Sequence, residues 1–158
     1  MRTHILVPPV LVMILLVCLA VSSSAGPYDN YLKADDIEKV TGLKGVKSMD
    51  KNTSVGAGGD LNFTTADGKL ILMIQVEDKG QYAGYKKYYF KSDIKGIGEQ
   101  AMEGASFPKM PSNLIAFTKG GKCVTLATFV DMASGGKKHM LTISQMTTLA
   151  ITVASRMQ

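Results

Sequence analysis

The chain contains no tryptophan, and its only cysteines are Cys18 and Cys123. So few thiols exclude a disulfide-dense miniature fold and a four-cysteine zinc module. Charged residues are 20% of the 158 and prolines number five, which excludes a charge-rich disordered chain and a collagen-like repeat. Histidine is nearly absent as well, with His4 and His139 alone. What remains is long enough for one domain with a sizeable core. A net charge of +5 is no concentrated basic tract, so nucleic acid is not an expected partner.

Long apolar runs occur in one place. Arg2 and His4 precede an uncharged stretch over residues 5–21, and Ser22, Ser23, Ser24, Ala25 and Gly26 follow it. Basic start, apolar middle and small-residue end form the pattern of a secretory signal peptide, with cleavage between Ala25 and Gly26. Two other readings stand beside it. An uncleaved anchor is opposed by the run's shortness and by Pro8 and Pro9. Lipidation at Cys18 is opposed by the bulky Val17 before it. Cleavage leaves 133 residues, and with Arg2 the only charged residue lost, the net charge becomes +4. Residues 26–158 are then a single domain, periplasmic or secreted, that touches a membrane only through the leader before cleavage. Cys123 is left without a partner and must be a thiol, read as buried because Lys122-Cys-Val-Thr-Leu-Ala-Thr-Phe-Val130 has the composition of a strand.

Along the mature chain, Asp35 and Glu38 have capping-box spacing and open a short helix that Gly42 ends. Residues 46–49 read as a weak strand and 56–59 as a glycine-rich segment. Residues 61–65 and 69–77 form a hairpin around Ala66-Asp67-Gly68, because Asp-Gly tolerates the backbone angles of a tight turn. Asp78 and Gln81 repeat the capping-box spacing ahead of a tyrosine-rich helix reaching about residue 91. Residues 92–98 read as a turn and 99–103 as a strand, followed by a loop with Pro108 and Pro111. A second hairpin, residues 114–119 and 122–131, turns at Gly120-Gly121. The last helix is the best marked. Thr142 and Gln145 form a capping box, Leu141 and Met146 have hydrophobic-staple spacing, and Met146, Leu149, Ala150, Val153 and Met157 make an apolar stripe.

Together these elements predict an α+β fold, an antiparallel sheet of two hairpins with helices packed on it. The hairpins echo one another in Asn62-Phe-Thr-Thr-Ala-Asp-Gly-Lys-Leu70 and Ala116-Phe-Thr-Lys-Gly-Gly-Lys-Cys123. Each precedes a helix, which raises a ββα duplication.

Several groupings bear on chemistry. Gly96-Ile-Gly-Glu-Gln-Ala101 has the letters of a dinucleotide fingerprint but the wrong surroundings, since a helix precedes it and a strand follows. It reads as a turn. His139 lies near Asp131, Ser134 and Ser144, and near Met132 and Met140. The first set is the raw material of a small hydrolase and the second of a copper site, but no nucleophile-elbow motif surrounds the serines. Asn52-Thr-Ser54 and Asn62-Phe-Thr64 fit the glycosylation sequon. The tyrosine helix carries Tyr82, Tyr85, Tyr88 and Tyr89 beside Lys86, Lys87 and Lys91, with Tyr82, Tyr85 and Tyr89 on one stripe and Lys86 and Lys87 on other faces. With the glycine-rich segment 56–59 it is the candidate surface. Such rings pack on a sheet, or with lysines they form a binding face. The expected function is therefore a non-enzymatic binding domain, without cofactor or metal, acting through Tyr82, Tyr85, Lys86, Lys87 and Tyr89. Its partner is an envelope protein or a small amphipathic ligand. The alternatives are an enzyme using His139 and an amphipathic-ligand carrier.

The succession of a helix ending Val40-Thr-Gly42, a hairpin, Gly96-Ile-Gly-Glu-Gln-Ala101, another hairpin and a helix ending Ala154-Ser-Arg156 resembles small exported bacterial domains of unknown function, many of them lipoproteins. More distantly it is similar to the PsbP-like α+β fold. The resemblance spans most of residues 32–157 and implies a twisted antiparallel sheet flanked by helices. It carries over no catalytic residue, and this chain departs from the lipoprotein members at Val17.

Overall fold

The computed structural model describes residues 28–49, 60–105 and 112–158. The leader with Ala25 and Gly26, the glycines at 56–59, Asn52, Pro108 and Pro111 lie outside them. The described chain is α+β, with three helices and a seven-stranded antiparallel sheet. In chain order the elements are α1 (Ala34–Thr41), β1 (Lys47–Met49), β2 (Leu61–Thr64), β3 (Leu70–Asp78), α2 (Gln81–Tyr89), β4 (Phe90–Ile94), β5 (Gln100–Ala105), β6 (Ser112–Lys119), β7 (Lys122–Phe129) and α3 (Ile143–Arg156). Spatially the strands run β1-β2-β3-β7-β6-β5-β4, so the two long hairpins meet at β3 and β7 in the middle. No helix among the described residues is long and apolar enough to cross a membrane.

Alternation along the central strands builds two separate apolar clusters. Leu72 and Ile74 of β3, Phe117 of β6 and Val124 and Leu126 of β7 belong to the larger cluster, together with Ile37 of α1 and Met146, Leu149 and Val153 of α3. The intervening residues point the other way. Leu114 and Ala116 of β6 and Cys123 and Ala127 of β7 join Met102 of β5 and Tyr82 of α2 in a smaller cluster. Both clusters are buried, but the second is built of smaller side chains and is bordered by half-buried Met73, Tyr85 and Tyr89.

The terminal helix starts as its sequence demands. Thr142 Oγ1 accepts from Gln145 N at 3.2 Å, and Gln145 Oε1 accepts from Thr142 N at 2.9 Å. The other two caps differ from expectation. In α1 the carboxylate of Asp36, not the Asp35–Glu38 pair, receives the Lys33 N–H at 2.8 Å, and Glu38 instead accepts from Val46 N at 2.9 Å. At α2 no side chain caps the start, and Gly80 holds the N-cap position. Asp78 is the last residue of β3, two residues before the N-cap, and its exposed carboxylate lies 3.3 Å from Lys122 of the neighbouring strand.

The tyrosine helix is also shorter than expected. It stops at Tyr89, and residues 90–94, read from sequence as helix end and turn, form strand β4 at the edge of the sheet. Gly104 makes this junction fit: a Cβ there would lie 2.7 Å from the Tyr89 carbonyl oxygen. The Gly96–Gly98 segment turns β4 into β5, and Gly98, at φ +54°, lies so close to β6 that a Cβ would meet the Thr118 carbonyl at 2.2 Å. The strand after that turn runs Gln100–Ala105. The second sequon is corrected too. Asn62 sits within β2 at 3% exposure, where no glycan could be attached.

Candidate functional site

The five candidate residues of α2 divide into two groups. Tyr82 is 4% exposed and belongs to the smaller apolar cluster, and Tyr85 and Tyr89 are half-buried against it. Their recurrence at three and four residues places them on one stripe of the helix, the one that meets the smaller cluster. Lys86 and Lys87 are exposed. Of the two readings the stripe offered, packing describes the rings: those at helical spacing bury together, and the lysines on the other faces are left in water.

The buried rings carry polar atoms that must be accommodated. Tyr85 donates its hydroxyl to Glu77 Oε2 at 2.7 Å. Burial and that carboxylate push its ionisation well above the ordinary tyrosine range. Tyr82's hydroxyl is buried without a hydrogen-bond partner among the described residues, and burial raises its pKa as well. Cys123 lies opposite Glu77 in the β3–β7 register. Desolvation, and then the Glu77 charge, push its thiol from 9.0 up to about 12. A thiol so buried and protonated is a poor nucleophile at neutral pH.

Outside this buried layer, the turn from α2 into β4 presents Tyr88, which the sequence grouped with the other rings but not among the binding residues, and Phe90, which it did not single out. Tyr88 is 69% exposed and Phe90 is 45% exposed. Lys87 Nζ lies 5.0 Å from the Tyr88 ring centroid and Lys86 Nζ lies 5.1 Å from that of Phe90. Cations at that distance over ring faces are held by the ring quadrupole and by their own packed methylenes. Lys86 also pairs with Asp93 of β4 at 3.0 Å, which raises its pKa. The signal for Tyr88 was present, since it lies off the 82–85–89 stripe. Phe90 gave none, because its exposure depends on where the helix ends.

The histidine reading meets a different setting. His139 is exposed and pairs by backbone with Val130 in an isolated bridge. The Asp131 carboxylate accepts from Ala133 N at 3.0 Å and caps a 3-10 turn, Met132–Ser134. Ser134 donates its hydroxyl to the Asp131 carbonyl at 2.6 Å and accepts from Lys138 N at 3.1 Å. Both groups are thus engaged in local loop geometry, with no bond to the imidazole. Met132 and Met140 line an apolar groove of about 350 Å³ with Leu70, Phe129 and Val130, and Met132 is 83% exposed. Among the described residues no cluster of three His, Cys, Asp or Glu side chains has metal-binding geometry. A second, more polar cleft of about 450 Å³ lies between the Gly96–Gly98 turn and the end of α3. Lys119 runs beside it and donates to the Ala154 carbonyl at 2.5 Å.

Family models, curated proteins and solved structures were compared with the chain, and none matches.

Proposed function

We propose that the protein is an exported, non-enzymatic interaction domain whose working surface is the turn from α2 into β4. One observation carries this reading. Two large rings, Tyr88 at the end of α2 and Phe90 at the start of β4, stand in solvent, each with a lysine over its face, while the other rings of α2 pack against the smaller cluster. Exposed rings carry a hydration cost that no internal contact offsets, and they are enriched where proteins meet partners. Export rests on the leader pattern of residues 5–26. It predicts that protein recovered from its host begins at Gly26, which N-terminal sequencing checks; an intact N-terminus or a lipid on Cys18 contradicts it.

The surface reading is tested with a photoreactive phenylalanine analogue at position 88 in the native host. A benzophenone inserts into any C–H bond within reach, whether of protein or lipid. A discrete adduct that weakens on Lys87→Glu supports the reading. Absence of adducts, or adducts indifferent to Lys87→Glu, opposes it.

We further infer that the helices cover opposite faces of the sheet, α1 and α3 over the larger cluster and α2 over the smaller. That arrangement weighs against the ββα duplication. A two-fold axis relating neighbouring antiparallel strands β3 and β7 is normal to the sheet and would leave both following helices on one face. The shared turn residues of the two hairpins then reflect common turn chemistry.

A further inference from the structure

We propose that the α2–β4 surface meets the anionic face of a lipid bilayer. The inference rests on the surface reading above and adds the chemistry of what that surface touches. Between Gln81 and Lys95 the chain carries Lys86, Lys87, Lys91 and Lys95 against the single acid Asp93, a net +3 of the whole chain's +5. Lys86 is paired to Asp93 and Lys91 to Glu103 of β5, whereas no carboxylate among the described residues pairs with Lys87 or Lys95. The charge is thus concentrated beside the two exposed rings, more than composition alone indicated.

Shape argues for a bilayer in particular. Neither of the two clefts described above is lined by residues of this surface, and Tyr88 and Phe90 are 69% and 45% exposed, so the rings project outward. A folded protein partner or a small ligand requires complementary shape. A bilayer adapts its own surface. Aromatic rings rest at headgroup depth, and lysines extend beyond them to lipid phosphates. Tyr88 and Phe90, each exposed and each with a lysine Nζ about 5 Å from its ring centroid, supply both kinds of group at one turn of the chain. Anionic lipid attracts such lysines within a Debye length of its surface. The apolar run at residues 5–21, as leader or as anchor, brings the chain to a membrane in any case.

The absence of tryptophan supplies the probe. Tyr88→Trp in the full chain creates a single fluorophore on the surface, and Met132→Trp places one on the exposed loop elsewhere as a control. Both are mixed with vesicles of brominated phosphatidylcholine, alone or with about one third phosphatidylglycerol. The proposal expects the indole at position 88 to be quenched about twofold or more on the anionic vesicles only, with the indole at position 132 unaffected. High salt reverses that quenching, as does Lys86→Glu combined with Lys87→Glu. Circular dichroism of the charge-reversed variant confirms that it is folded. Quenching equal at both positions, equal on neutral vesicles, or absent overturns the proposal. If the indole at position 88 is unquenched while a photoreactive residue there still cross-links a protein in the host, the surface reading stands and the bilayer is the wrong partner.

Discussion

Tyr85 and Tyr88 are three residues apart, yet one is a structural residue and the other is not. Tyr85 is half-buried and holds the Glu77 carboxylate at 2.7 Å. Tyr85→Phe keeps the ring but strands a partly desolvated charge, and it should cost about 1–2 kcal/mol in urea unfolding. Tyr88→Ala, in contrast, should leave the unfolding midpoint nearly unchanged. Cys123 supplies a second residue-level expectation. Its thiol ionises near 9.0 when free and at about 12 in the fold, so on raising pH the unfolded chain loses this proton first. The contribution to stability is intact below about pH 9 and is lost between there and about pH 12. Alkylation by iodoacetamide at pH 8 should therefore be negligible in the native protein and rapid in denaturant. At this scale the sequence was informative: strand composition around Cys123 indicated burial, and the 82–85–89 spacing indicated which rings share a face. It could not indicate that Glu77 is the partner, since a β-strand and a helix must first be brought together.

The elements show which signals are local and which are not. The Thr142–Gln145 box formed because both partners lie within one turn and nothing else competes for them. The same spacing failed at Asp78, because β3 runs through it and the helix starts two residues later than a cap there requires. The end of α2 was illegible for another reason. Tyr88-Tyr89-Phe90 suits a strand at least as well as a helix, and no glycine, proline or cap marks the boundary. What turns the chain there is pairing of β4 with β5, including the close approach allowed at Gly104. α1 and α3 are tied by a contact equally invisible in sequence, with Arg156 Nη1 and Nη2 at 2.6 and 2.9 Å from the two Asp36 oxygens. The guanidinium's hydrogen bond holds the Asp36 carboxyl below its usual 3.8. The unfolded chain therefore takes up that proton first as pH falls; the pair's contribution is full above about pH 4 and disappears as pH drops through the lower, native value. Arg156→Ala should cost about 1–2 kcal/mol at neutral pH, and less below pH 3, as measured by denaturant titrations at both.

Over the whole molecule, the fold class was legible from alternation and turn residues, and the strand order was not. Antiparallel hairpins announce themselves locally, whereas the meeting of β3 with β7 and the placing of β4 at an edge are long-range choices. The site followed the same division. Spacing separated Lys86 and Lys87 from the ring stripe, Tyr82, Tyr85 and Tyr89 pack against the smaller cluster, and the exposure of Phe90 emerged only with the α2–β4 junction. Of the chain's +5, a net +3 lies between Gln81 and Lys95, where Lys86 and Lys91 are paired with acids. The central claim is that this surface is where the protein works, and the photoreactive residue at position 88 tests it most directly, with position 132 as control. The account predicts adducts at 88 that fall severalfold on Lys87→Glu while the thermal midpoint stays within about 2 °C of wild type. Equal labelling from 88 and 132, or labelling at 88 untouched by Lys87→Glu, would contradict it.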